Sequence, residues 1–163
     1  MRTPQPGDYF AIQTHGIAAL AIQVGTRSRW NHAAIYVGDG RIVEAKPRGV
    51  VYSPITDYAR TDYVISAVPF DAWQRQKIVA AADRLVAARV GYGWLDIVAL
   101  AAVQFGRCPA WLENRAKRDD RLVCSQVVSS CWAAAGVEAV PGKDPWAVTP
   151  GDLAAAELVS LAA

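Results

Sequence analysis

The sequence predicts an α+β fold: an antiparallel sheet or half-barrel of N-terminal strands packed against C-terminal helices. Three observations predict it. The residues before Asp71 fall into short runs rich in Val, Ile, Tyr and Phe, separated by Gly, Pro or Asp. From Asp71 onward the apolar residues change to helical spacing in an Ala-rich background. Strands then helices, without alternation, is the α+β order. With 163 residues, 53% apolar and 20% charged, the chain has enough interior for one domain over residues 1–163 and is not of disordered composition.

The strands are expected at "DYFAIQT", "IAALAIQV", "HAAIYVG", "RIVEAK", "GVVYSP" and "DYVISAVPF". In the hairpin formed by "HAAIYVG" and "RIVEAK", loop length sets the register. A two-residue loop, Asp39-Gly40, places Glu44 opposite Ile35, on the far side of the sheet from His32. A three-residue loop, Gly38-Asp39-Gly40, places Glu44 opposite Ala34, diagonally beside His32 and about 7 Å from it. Gly40 suits the left-handed residue that ends such a loop, so the three-residue form is expected.

The first helix is expected in "DAWQRQKIVAAADRLVAARVG". Asp71 is its N-cap, Trp73, Ile78, Leu85 and Val86 form its apolar face, and Gly91 is its C-cap. "WLDIVALAAVQF" reads as a second helix and "CSQVVSSCWAAAG" as a third. In "TPGDL", Thr149 is an N-cap, Pro150 the first helical residue and Asp152 the capping-box acid. "ELVSLAA" is expected to return as an edge strand.

Charge and cysteine content exclude several classes. A net charge of +2, from 17 basic and 15 acidic residues, lacks the concentrated basic face of a nucleic-acid binder. The mixed-sign run Glu113 to Arg121 reads as a solvated loop or helix end. The N-terminus lacks a signal-peptide apolar region, and the greasy stretch Ile97 to Phe105 is too short to span a bilayer. A cytoplasmic location is therefore expected, with release to a cell wall or virion left open. Three cysteines do not make a disulfide framework. Cys124 and Cys131, seven apart on a helix, lie about 10 Å from one another, beyond disulfide reach. No paired zinc-ligand spacing such as CxxC or HxxxH occurs, and chemistry on a free thiol requires neither a metal nor an organic cofactor.

Three residues form an ordered set: His32 early in one strand, Glu44 across its hairpin and Cys124 opening an apolar helix face. A helix N-terminus favours thiolate and offers N–H groups to an oxyanion. Cys131, deeper on the same face, reads as a core thiol, and Cys108 before Pro109 has no assigned role. Each residue also has an ordinary explanation: a structural strand histidine, a solvent-facing acid, a small buried cysteine.

Together, "HAAIYVGDGRIVEA", "YGWLD", "LVCSQVV" and "TPGDL", after an early "GD" and strand, resemble the circularly permuted papain-like cysteine hydrolases. These are the permuted branch of the NlpC-type superfamily, related in layout to lecithin retinol acyltransferase-like proteins. The resemblance spans roughly Pro6 to Leu153. It implies a permuted papain-like fold, Cys124 as nucleophile, His32 as base and Glu44 as the third, polar residue. It makes Tyr36, Tyr92 and Ser125 candidates for holding substrate or oxyanion, and leaves Asp8 and Asp96 structural. Ala33-Ala34 stands where relatives often carry Val-Gly.

The activity implied is hydrolysis of an amide bond through an acyl-enzyme, with peptidoglycan stem peptides the favoured substrate. Two alternatives stay open: acyl transfer or thioester cleavage on lipid-like substrates, and a catalytically idle binding or structural protein of a phage or toxin system.

Overall fold

A computed structural model describes residues 3–93, 102, 106, 108–111, 114 and 121–160. The expected second helix at "WLDIVALAAVQF", Asp96 and most of the run Glu113 to Arg121 lie outside the described residues. The architecture is α+β. Strands β1 (Tyr9–Gln13), β2 (His32–Gly38), β3 (Arg41–Lys46), β4 (Gly49–Pro54) and β5 (Asp62–Ile65) form an antiparallel sheet in the order β4-β3-β2-β1-β5.

Two segments expected as strands are helical. "IAALAIQV" is not a strand but helix α1 (Ile17–Thr26), connecting β1 to β2. A short apolar run does not reveal its own period, and three alanines tip this one toward helix. "ELVSLAA" is not an edge strand: its first four residues complete the last helix.

Helix α2 (Ala72–Ala87) begins as expected. The Asp71 side chain accepts from the Gln74 N–H, and the Gln74 side chain accepts from the Asp71 N–H. Its C-cap is Ala88, followed by Arg89 in the left-handed region, and not Gly91. Trp73 is 57% exposed beneath Lys77 rather than part of the buried face, which is Ile78, Ala81 and Ala82.

Helix α3 (Cys124–Ala133) buries Cys124, Val127, Val128 and Cys131 against the sheet. Helix α4 (Pro150–Ser160) starts from the reciprocal pair expected of "TPGDL". The Asp152 carboxylate accepts from the Thr149 N–H, and the Thr149 hydroxyl oxygen accepts from the Asp152 N–H.

The sheet buries a different cluster on each face. Ala33, Ile35, Val43, Ala45 and Val50 meet α2, α3 and α4. Phe10, Ile12, Ala34 and Ile42 meet Tyr36, Tyr63 and the 3₁₀ helix Ile55–Tyr58 on the other. Trp132 pins α3 down: its ring lies 5.0 Å from Tyr9 and 4.7 Å from Phe70, and its indole N–H donates to the Gly7 carbonyl. The whole of this core runs from Tyr9 to Ala154.

The short parallel pair β6 (Gly91–Tyr92) and β7 (Arg121–Leu122) attaches to the outer edge of β4. There the Val50 N–H donates to the Val90 carbonyl at 2.9 Å. Gly49 makes this approach possible: its φ is +110°, and a Cβ there would stand 2.7 Å from the Val90 oxygen. Gly49→Ala should therefore cost roughly 2–3 kcal/mol of unfolding free energy through backbone strain and the clash. Urea denaturation checks this, and an unchanged midpoint contradicts it.

Candidate active site

The register of the β2–β3 hairpin builds the site. Ala34 stands opposite Glu44, Ile35 opposite Val43 and Tyr36 opposite Ile42, whereas at the tip Gly38 faces Arg41. Val37 is thus an extra residue, a bulge. The turn itself is the two-residue Asp39-Gly40, with φ of 52° and 69°, the pattern of a type I′ turn. Glu44 therefore occupies the position expected of the longer loop, but a bulge and a short turn put it there.

On that face His32 Nε2 lies 2.5 Å from Glu44 Oε2. Glu44 is fully buried, and its other oxygen, Oε1, pairs with the Lys46 ammonium at 2.9 Å. A second donor shares Oε2: the Tyr58 hydroxyl donates to it at 2.5 Å. The Tyr58 ring flanks the imidazole, centroids 5.7 Å apart and tilted by 30°. Tyr58 was missed from the sequence. It lies fourteen residues beyond Glu44, across β4 and a 3₁₀ helix, and no spacing rule links the two.

Cys124 comes from the opposite layer. His32 is the first residue of β2, so its ring sits at the strand end, close enough to Cys124 for the thiol to help hold the imidazole proton. With Nε2 turned to Glu44, Nδ1 is the ring nitrogen that the carboxylate leaves over. Cys124 is the first residue of α3, directly after β7 and Val123. Gln126 fastens that corner: its side-chain oxygen accepts from the Val123 N–H and its amide donates to the Trp146 carbonyl.

The parallel partner strand brings Tyr92 opposite Leu122, two residues before Cys124. Burial, and then the charge of Cys124, hold the Tyr92 phenol above its ordinary value. Tyr92 is therefore protonated and able to donate.

The other candidates are placed elsewhere. Tyr36 packs against Phe10, and its hydroxyl oxygen accepts from the Gly40 N–H at the hairpin tip. The Ser125 hydroxyl donates to the Val148 carbonyl at 2.6 Å, so its side chain ties α3 to the segment before α4. Asp8 is buried and paired with Arg75. Cys131 is fully buried, and burial pushes its thiol up to about 12, as suits a core residue.

Burial pushes the His32 pKa down, but the hydrogen bonds and charges of Cys124 and Glu44 outweigh it and raise the value to about 9. For Glu44, burial raises the pKa, and the His32 hydrogen bond and charge, then Lys46 and Ser53, pull it down to about 2. A cavity of about 300 Å³ opens at this point, lined by Asn31, His32, Lys46, Tyr58 and Tyr92 and by Thr14 to Gly16. A larger one, about 510 Å³, lies among Ser129, Val137, Lys143 and their neighbours and touches none of the three site residues. Among the described residues, no three His, Cys, Asp or Glu side chains are grouped to hold a metal ion, and no helix is long and apolar enough to cross a membrane.

Comparison with known proteins gives a fold neighbour. No family model matches the sequence, and no curated protein matches it. The chain is similar in structure to the metalloprotein YiiX from Escherichia coli O157:H7, of the domain of unknown function DUF1105. The TM-score is 0.63 at 23% identity, covering 88% of this chain and 78% of that one.

The pair leaves a signature in stability. His32 is raised from 6.5 to about 9, so its contribution is whole below pH 6.5 and is lost as pH rises through 9. Glu44 is lowered from 4.5 to about 2, so its contribution is whole above pH 4.5 and is lost as pH falls toward 2. The gap in Tm between wild type and His32→Ala should be widest between pH 4.5 and 6.5 and shrink toward pH 9. Calorimetry across that range checks it, and a pH-independent gap contradicts the pairing.

Proposed function

We propose that this protein is a cysteine-dependent hydrolase that opens an amide bond through an acyl-enzyme. One observation carries the reading. A cysteine at a helix N-terminus adjoins, and raises the pKa of, a histidine whose Nε2 is held by a buried carboxylate. Cys124 and His32 are the catalytic residues, and Glu44 positions the imidazole.

The chemistry follows from the parts. His32 takes the Cys124 proton, and Sγ attacks the carbonyl carbon. The oxyanion develops beside the N–H groups of the first turn of α3 and the Tyr92 hydroxyl. As the C–N bond breaks, the proton on His32 passes to the leaving amine, giving a thioester. Water then attacks the thioester, with His32 accepting its proton and returning it to the departing thiol. Glu44 holds the imidazole tautomer throughout and stays ionised.

Peptides of the peptidoglycan stem are the first substrates to try, on the strength of the family resemblance. The name of YiiX raises a metal, but among the described residues no three His, Cys, Asp or Glu side chains are grouped to hold one, and His32 Nε2 and Glu44 Oε2 are engaged with each other. A second reading, cleavage or transfer of lipid-like acyl esters and thioesters at the same site, has one supporting observation. Helix α1 borders the mouth of the cavity through Ala19 and Ile22 and exposes Leu20 and Val24, 60% and 65% accessible, one turn apart. Rates that rise with acyl-chain length, and lose that dependence in a Leu20→Ser, Val24→Ser variant, would favour it.

Iodoacetamide alkylation read cysteine by cysteine tests the site. At pH 6 Cys124 should react at least about tenfold faster than the partly exposed Cys108, and His32→Ala should slow it roughly 10- to 100-fold. Cys131 should stay unmodified. Cys124→Ala should lower turnover of any substrate found by about 10³-fold or more. A Cys124 no faster than Cys108 and indifferent to His32 points instead to a protein that keeps the fold as a binding scaffold.

A further inference from the structure

Glu44 is 0% exposed, and a carboxylate so buried needs donors or opposite charge about it. Among the described residues Oε1 has only the ion pair with Lys46 and no hydrogen-bond donor, so the donors fall on Oε2, shared by His32 Nε2 and the Tyr58 hydroxyl. Tyr58 is itself held in place. It ends the 3₁₀ helix Ile55–Tyr58, whose Ile55 N–H donates to the Gly40 carbonyl at the hairpin turn. Its carbonyl accepts from both the N–H and the hydroxyl of Thr61. The ring flanks the imidazole and lines the cavity.

We infer that Tyr58 is a positioning residue of this site, resting on the proposed cysteine chemistry: its hydroxyl fixes Glu44 on His32 and shares the carboxylate charge.

The role matters most when the histidine is neutral. In the proposed cycle His32 gives its proton to the leaving amine, and Glu44 is then buried beside an uncharged ring. The O–H of Tyr58 and the ammonium of Lys46 keep Glu44 ionised at that moment, so the proton travels from thiol to imidazole to amine without stopping on Glu44. Without the hydroxyl, the carboxylate leans harder on the imidazolium, and His32 holds its proton to higher pH. The ionisable groups around His32 among the described residues are Cys124 on α3, Glu44 and Lys46 on β3, Asp57 and Tyr58 on the 3₁₀ helix, Tyr92 on β6 and His15 across the cavity. Of these, Tyr58 alone shares the oxygen that His32 uses.

The test is the His32 titration, followed by NMR of its ring carbons and nitrogens, independent of any substrate. Tyr58→Phe keeps the ring and its packing and should move the His32 midpoint upward by roughly one pH unit. Site-specific 3-fluorotyrosine at position 58, a stronger donor of nearly the same shape, should move it downward and keeps the test open if Tyr58→Phe folds poorly. A midpoint that stays put in the folded variants overturns the inference. The functional proposal fails separately: a Cys124 no more reactive than Cys108 in wild type sinks the hydrolase, whatever Tyr58 does to His32.

Discussion

One extra residue in β2 determines what this sheet can do. A one-residue slip in a strand pair sends every side chain to the opposite face. Had β2 and β3 followed the Asp39-Gly40 turn without the bulge at Val37, Glu44 would stand opposite Ile35. It would then lie on the face that packs against α2, α3 and α4, a carboxylate among Ala33, Ile35 and Val43 with nothing there to pair it. The bulge puts the acid on the His32 face instead, with Lys46 on one oxygen and Tyr58 on the other. An interior charge is tolerable only under those conditions.

The site stands at the seam between two layers that otherwise keep apart. His32 and Glu44 share their face with Ala34 and the cluster around Phe10, whereas Cys124 belongs to the cluster around Val127 and Trp132. They meet because His32 is the first residue of its strand and Cys124 the first of its helix. Strand ends and helix starts are where a sheet-and-helix sandwich leaves side chains free to reach around an edge. The parallel pair of β6 and β7 serves that meeting. It anchors the start of α3 to the edge of β4 through Val90 and sets Tyr92 beside the thiol. The residues that fasten the corner, Gln126 and Ser125, spend their side chains on Trp146 and Val148 and steady the helix start.

How much of this was legible depended on the range of the signal. Local chemistry was readable: Asp71 as a cap, the Thr149 and Asp152 pair, Cys131 as core, and the alternation that puts His32 and Glu44 within reach once the register is right. The register itself was reached for a partly wrong reason, because a bulge leaves no mark in composition. Helix α1 was misread because a run of seven apolar residues and one glutamine fits either period, and Trp73 because helical spacing alone does not say which face is covered. Tyr58 and the placing of Tyr92 were beyond reach. Both depend on contacts between segments far apart in the chain, and no periodicity encodes such contacts.

The account stands or falls on whether Cys124 helps set the titration of His32. The direct measurement is the His32 midpoint by NMR before and after Cys124 is capped as a methyl disulfide, with folding checked by circular dichroism. Coupling predicts a midpoint near 9 in the uncapped protein and a fall of more than one pH unit on capping, since the sulfur's pull on the imidazole proton is then gone. A His32 that titrates at the same pH in both states would mean the two side chains are only neighbours, and the site would lose its claim to chemistry.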